Sequence, residues 1–239
     1  MDLNEHYRAW LHLRRPDLPH FTRGEDVPMD ASYASLARDK ASNKGIRTRT
    51  ALRELSAHGV NQPFLEEIAG LTSLEYLDLG WPVTATDLAP LRSLANLRHL
   101  VINSPRHIAD FTPLLDLPKL ERLFIENAKH LHSLDWLRPL KDRLVALGIE
   151  GSMWTAQPIG SLAPLEGFAL EALFLTNTTL ADQDLSPIAT MANIRFLGSG
   201  INAPRAQFFA LRDAKPDLQC SWFAERAWAN SSDPKPPKR

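Results

Sequence analysis

The sequence predicts an α/β solenoid, a stack of short parallel strands joined by compact return segments. Three observations predict it. The apolar pattern L-x-x-L-x-L begins at Leu52, Leu74, Leu97, Leu120, Leu144, Leu170 and Ile194, at spacings of 22, 23, 23, 24, 26 and 24 residues. Of its 21 apolar slots 19 hold Leu or Ile, Ala57 and Ser199 being the exceptions, although Leu and Ile supply only 48 of the 239 residues. A second motif follows five of the rungs: DLAPL from Asp87, DFTPL from Asp110, SLDWL from Ser133, SLAPL from Ser161 and DLSPI from Asp184. Self-similarity at a fixed period of this length marks a repeat array.

Each unit has a simple physical logic. Positions four and six of the pattern alternate as inward residues of a strand do. The Asp or Ser of the second motif can cap a short helical or 3-10 turn, in whose first turn Pro is tolerated. One strand and one return segment cannot bury their leucines alone, so neighbouring copies must stack. Bulkier return segments splay the outer side, which predicts an arc with its parallel sheet on the concave face and the return segments on the convex face.

The pattern resembles leucine-rich repeats of the short, 22–24-residue class, of the internalin and phosphatase-regulator types. The resemblance covers Leu52 to Asn202, about two thirds of the chain. It implies a leucine-rich-repeat solenoid that binds another protein on its concave face. Three departures stand out. The ninth position, usually Asn in that family, reads Pro82, Pro105, Ala128, Ser152, Thr178 and Asn202, so the turns must satisfy their backbone groups differently. The fifth unit carries an enlarged loop from Glu150 to Gly160, and the secretion and wall-anchoring signals of internalins are missing.

The ends read as caps. Residues 1–50 form an N-terminal cap, a short helix over Leu3, Tyr7, Trp10 and Leu11 followed by extended loop. The solenoid occupies 51–202, about six to seven repeats. A C-terminal cap of helix, turn and closing strand occupies 203–228, and 229–239 has the composition of a disordered tail.

Composition narrows the function classes. Hydrophobic residues make up 44% and charged residues 23%, an ordinary globular balance, and the net charge is -1. That near-neutral total hides an acidic middle: 51–202 holds 11 basic and 17 acidic residues. The single cysteine, Cys220, excludes an internal disulfide and suits a reducing compartment. With no signal segment and no long apolar run, a cytoplasmic protein without membrane contact is expected.

Outward strand positions supply the candidate site. On the concave face the sequence places Tyr76, Asp78, Trp81, His99, Val101, Phe124, Glu126, Glu150, Phe174 and Phe196. Phe124 and Phe174 flank Gly148, which predicts a shallow apolar trough with Glu126 and Glu150 at its rim. Grouped exposed aromatics mark interaction sites; the alternative is that the chain's own ends cover these rings. The acidic rim predicts a protein or peptide partner with basic and apolar character. No cofactor and no metal are expected: His130 and His132 lack a third ligand. The function expected is a non-enzymatic protein-binding scaffold. A regulatory or inhibitory subunit of an enzyme is the alternative, and an enzyme using Asp78 and His99 is a weaker one. Nucleic-acid binding through Arg47, Arg49 and the KPPKR tail is disfavoured by the acidic repeats.

Overall fold

The computed structural model describes residues 5–6, 19–40 and 43–235. The described residues divide into two compact units, one within 19–130 and one within 131–235, the second also containing Glu5 and His6. Of the N-terminal capping helix read from the sequence, only Glu5 and His6, both helical, are among the described residues.

The first unit contains six parallel strands, hydrogen-bonded in chain order: β1 (His20–Phe21), β2 (Tyr33–Ala37), β3 (Glu54–His58), β4 (Tyr76–Gly80), β5 (His99–Asn103) and β6 (Arg122–Glu126). Successive rungs stand in register, so that Leu55, Leu77, Leu100 and Leu123 face one another in one row. Each of these four is fully buried, as are Leu79 and Ile102 two positions on. Strands β1 and β2 extend the ladder into a segment the sequence reading left as cap and loop. Ala34 and Leu36 are its inward pair, both at 0% exposure; with Ala31 and Ala34 in place of leucines, the repeat pattern does not announce it.

The return segments form as their motif predicts. They are 3-10 turns over Ala89–Ser93 and Thr112–Asp116, preceded by one true helix, α1 (Gln62–Ile68). Asn61 caps α1, its Oδ1 accepting from the Phe64 amide at 3.1 Å. Asp87 and Asp110 accept from the amides two residues on, at 2.8 Å each, and so hold the start of each turn.

The second unit repeats the plan with β7 (Ala146–Glu150), β9 (Ala172–Leu175) and β11 (Phe196–Ser199) in one parallel set. Beside it runs a separate parallel pair, β8 (Gln157–Ile159) and β10 (Thr178–Leu180). Ser133, Ser161 and Asp184 hold the starts of their return segments in the same way as Asp87 and Asp110. Helix α2 (Ser186–Ala189) is the last of these segments, and α3 (Arg205–Ala214) buries Phe208 and Leu211. Phe208 meets Trp228 edge-on at 5.6 Å, and Trp228 meets Trp222 at 5.4 Å.

One C-terminal expectation changes. The predicted closing strand is a single bridge, Gln219 to Phe196, followed by a 3-10 turn over Ser221–Phe223. That turn brings the Trp222 indole N–H onto the Ser199 carbonyl at 2.7 Å. Within the tail read as disordered, Asp233 accepts from the Arg205 amide at 2.7 Å and so caps α3.

Three of the turns without the family's Asn use the position just before it, and Thr178, at the ninth position itself, donates its hydroxyl to the Ile149 carbonyl at 2.6 Å. Ser104, Asn127 and Asn177 all adopt left-handed backbone, with φ of 53°, 53° and 51°. Asn127 Nδ2 donates to Ser104 Oγ at 3.2 Å, and Asn177 Nδ2 donates to the Ser152 carbonyl at 2.7 Å. A side-chain ladder exists, displaced by one residue.

Candidate binding surfaces

On the first unit, the outward column of position five runs Ser35, Ser56, Asp78, Val101, Phe124 in register. It turns from polar to apolar along its length. The apolar end is not the open surface the sequence suggested. Phe124 is 3% exposed and Val101 5%, with Tyr76 at 5% and His99 at 4% in the neighbouring column. In the second unit Phe174 is fully buried and Phe196 is 9% exposed; their rings meet at 5.3 Å, and Phe174 lies over Gly198, where a Cβ would come within 2.8 Å of it. Strand alternation decides which way a side chain points, not whether something covers it. The expectation of exposed rings at Phe124 and Phe174 is therefore corrected: they are packed interior. Of the predicted site, Asp78, Glu126 and Glu150 are half-buried and Trp81 is 61% exposed.

The polar end holds a cluster the sequence reading missed. Ser56 Oγ donates to Asp78 Oδ2 at 3.1 Å and lies 3.3 Å from His58 Nε2. His20 Nδ1 lies 3.3 Å from Ser35 Oγ on the adjoining strands. The signal was available: Ser56 and His58, at i and i+2, share one face of β3, and Ser56 stands opposite Asp78. The ring of His58 occupies the space over Gly80, where a Cβ would sit 2.2 Å from Nδ1. Its pKa is lowered, first by burial and then by the nearby His20.

Ser, His and Asp together invite a catalytic reading, and the geometry argues against one. A nucleophilic serine gives its proton to the histidine, and a carboxylate holds the other ring nitrogen. Here Ser56 Oγ donates to Asp78 Oδ2 at 3.1 Å, the shorter of its two contacts, and not to His58 Nε2 at 3.3 Å. The His58 Nδ1 faces Gly80 instead of a carboxylate. His99 is a poor base in its own right. Asp78 stands opposite Val101 and diagonal to His99, whose ring lies 5.7 Å from that of Tyr76, its direct neighbour. Burial, with Arg122 second, pushes the His99 pKa down to about 3, too low for a useful general base near neutrality.

Other sequence candidates resolve structurally. Arg49 spends its guanidinium on the carbonyls of Val27 and Glu25, at 2.5 and 2.6 Å, and on Thr48 Oγ1, so it clasps the chain instead of offering a free cation. Charged pairs join neighbouring rungs at Arg53–Glu75, 2.6 Å, and at Arg98–Glu121, both exposed; exposed pairs contribute roughly 0–1 kcal/mol. Burial raises the Cys220 pKa to about 11, which keeps the thiol protonated. His130 and His132 are exposed, and among the described residues no group of three His, Cys, Asp or Glu could hold a metal ion. No described helix is long and apolar enough to cross a membrane.

What stands exposed and apolar is short. Among the described residues the exposed large hydrophobics are Met29 at 60%, Trp81 at 61%, Met153 at 84% and Trp154 at 89%. Trp81 directly follows β4, before a cis bond to Pro82. Met153 and Trp154 form the tip of the enlarged loop after β7. Their exposure is not legible from sequence, although the loop itself is, as the longest spacing between rungs.

No protein-family model and no curated protein matches this sequence. Solved structures do resemble the fold. An internalin from Listeria monocytogenes superposes with a TM-score of 0.51 at 23% identity, over 70% of this chain and 53% of its own. A leucine-rich-repeat protein from Leptospira interrogans superposes with a TM-score of 0.56 at 16% identity, over 84% of this chain and 57% of its own. The chain thus spans little more than half the length of either. Registered parallel rungs, leucine rows and capped return segments agree with these likenesses: the chain has the leucine-rich-repeat fold.

Proposed function

We propose that this chain is a non-catalytic scaffold that binds another protein. The observation that carries the reading is the placement of its exposed aromatics. The sheet buries its outward phenylalanines, yet Trp81 and Trp154 are left 61% and 89% exposed just past strand ends. Leaving an indole in water is unfavourable, and Trp is the side chain most enriched among residues that dominate binding energy. On the first unit the accessible members of the predicted strand face are Asp78, Trp81 and Glu126; on the second, taken by itself, Glu150 is accessible. Tyr76, His99, Val101, Phe124, Phe174 and Phe196 keep that face rigid.

The failed Ser56–His58–Asp78 geometry and the feeble basicity of His99 support a role without chemistry. The test is affinity recovery with the full chain from its native cell, comparing wild type with Trp81→Ala and Trp154→Ala. A protein recovered in stoichiometric amount with wild type, and at least tenfold less with one variant, supports the reading. Equal recovery with all three chains would overturn it.

A further inference from the structure

The loop after β7 is built to hold its tip still. Ser152 N–H donates to the Thr155 carbonyl at 2.9 Å, and the amides of Trp154 and Thr155 return to Ser152 Oγ at 3.3 and 3.0 Å. Asn177, from the next repeat, clamps both sides: Nδ2 donates to the Ser152 carbonyl at 2.7 Å and its own carbonyl accepts from the Gln157 amide at 2.9 Å. Gly151 permits this close approach, since a Cβ there would lie 2.3 Å from the Asn177 carbonyl oxygen. A pinned turn thus carries two apolar side chains that are almost wholly solvated. Because the turn is already ordered, binding through it loses little conformational entropy.

Charge identifies what would cover that tip. Between Arg143 and Arg195 the sequence contains no Lys, Arg or His, and five carboxylates: Glu150, Glu166, Glu171, Asp182 and Asp184. Glu150 is the residue from which the loop departs. An anionic bilayer, an acidic peptide and nucleic acid are repelled by such a stretch. A cationic segment is attracted to it, and an Arg guanidinium also stacks on an exposed indole. On a helical segment, the grooves between side-chain ridges receive a protruding ring.

We infer that the Met153–Trp154 turn is the docking point for a basic amphipathic segment of a partner protein. The apolar face of that segment seats the two side chains, and its Lys and Arg residues are drawn toward Glu150, from which the loop departs within a stretch of sequence whose only charges are carboxylates. This rests on the protein-binding reading above and assigns it a place and a chemistry.

The test uses the full chain and a synthetic helix-forming peptide of Leu and Lys, with a Leu–Glu peptide of the same pattern as control. Binding is read by calorimetry and by the tryptophan emission shift, for wild type, Trp154→Ser, Met153→Ser and Trp81→Ala. Both serine changes lie at exposed positions, so the fold survives them, as circular dichroism verifies. The expected result is binding of the Lys peptide alone, weakened about tenfold or more by Trp154→Ser and weakened by salt. Binding lost in Trp81→Ala but kept in Trp154→Ser would overturn this assignment and leave the protein-binding reading standing. No binding of the Lys peptide, or equal binding of both peptides, would overturn the proposed chemistry. Sedimentation with phosphatidylcholine vesicles, or concentration-dependent self-association, would reassign the tip to a membrane or to a second copy if either were abolished by Trp154→Ser.

Discussion

Protonating His99 is expected to cost this fold measurable stability. The side chain is 4% exposed, with its ring against Tyr76 at 5.7 Å and Arg122 opposite on β6. Burial first, and the Arg122 charge second, hold its pKa at about 3 against 6.5 in an unfolded chain. Between those values the unfolded state binds the extra proton. The stability His99 contributes is therefore fully present above about pH 6.5 and is lost as the pH falls toward 3. Integrating that difference from pH 7.5 to 4.5 gives a loss of roughly 2.5 kcal/mol from this one residue. His58 acts in the same direction, its pKa also being lowered. The assay is urea denaturation at both pH values for wild type and His99→Gln, in which the contribution of His58 is common and cancels. Wild type is expected to lose about 2.5 kcal/mol more than the variant over that interval. Equal losses would show that His99 is not buried as a neutral ring, and the argument against its catalytic use would go with it.

Three further outcomes test other parts of the structure. Gly80→Ala places a Cβ 2.2 Å from His58 Nδ1, so the ring must leave. A destabilisation of about 1–3 kcal/mol, with the His58 titration in NMR moving up, is expected, and an unmoved titration contradicts the packing. Leu100→Ala removes a fully buried side chain held in register between Leu77 and Leu123. A loss of about 2–5 kcal/mol in chemical denaturation is expected, and a loss under about 1 kcal/mol would deny that row its place in the core. The half-buried Cys220 thiol, its pKa raised to about 11, is expected to react with a disulfide reagent slowly in the native chain and rapidly in urea; fast native labelling would contradict the raised pKa.

The repeats were legible because their signal is redundant. Seven copies of one pattern fix strand positions even where single slots fail, as at Ala57 and Ser199. Where redundancy ends, so does legibility. Strand β2 packs Ala34 where the pattern wants Leu, so periodicity does not mark it as a strand. The closing strand was over-read because Cys220 and Trp222 suit a strand by type. The indole hydrogen bond to Ser199 instead draws that stretch into a turn. The site was less legible than the fold for a physical reason. Alternation along β6 and β9 shows that Phe124 and Phe174 leave the leucine side, but burial depends on what packs over them, which periodicity does not encode. The Ser56–His58–Asp78 contact needs the register of β3 against β4, and that comes from the assembled ladder. Trp154 shows the converse. Its loop was visible as an irregular spacing, while its exposure depends on Asn177 holding the turn away from the sheet.

That clamp has a consequence for how the molecule can vary. Pairing with the next repeat resumes at Gln157, and the ladder before the loop is complete at Gly151, so Met153 and Trp154 take no part in closing either rung. The tip can be rewritten residue by residue while the stack that carries it stays unchanged. The loop thus gives a rigid repeat array the freedom of a hypervariable loop on a fixed framework. New partner specificities can be grafted there provided that Gly151, Ser152 and Asn177 are kept.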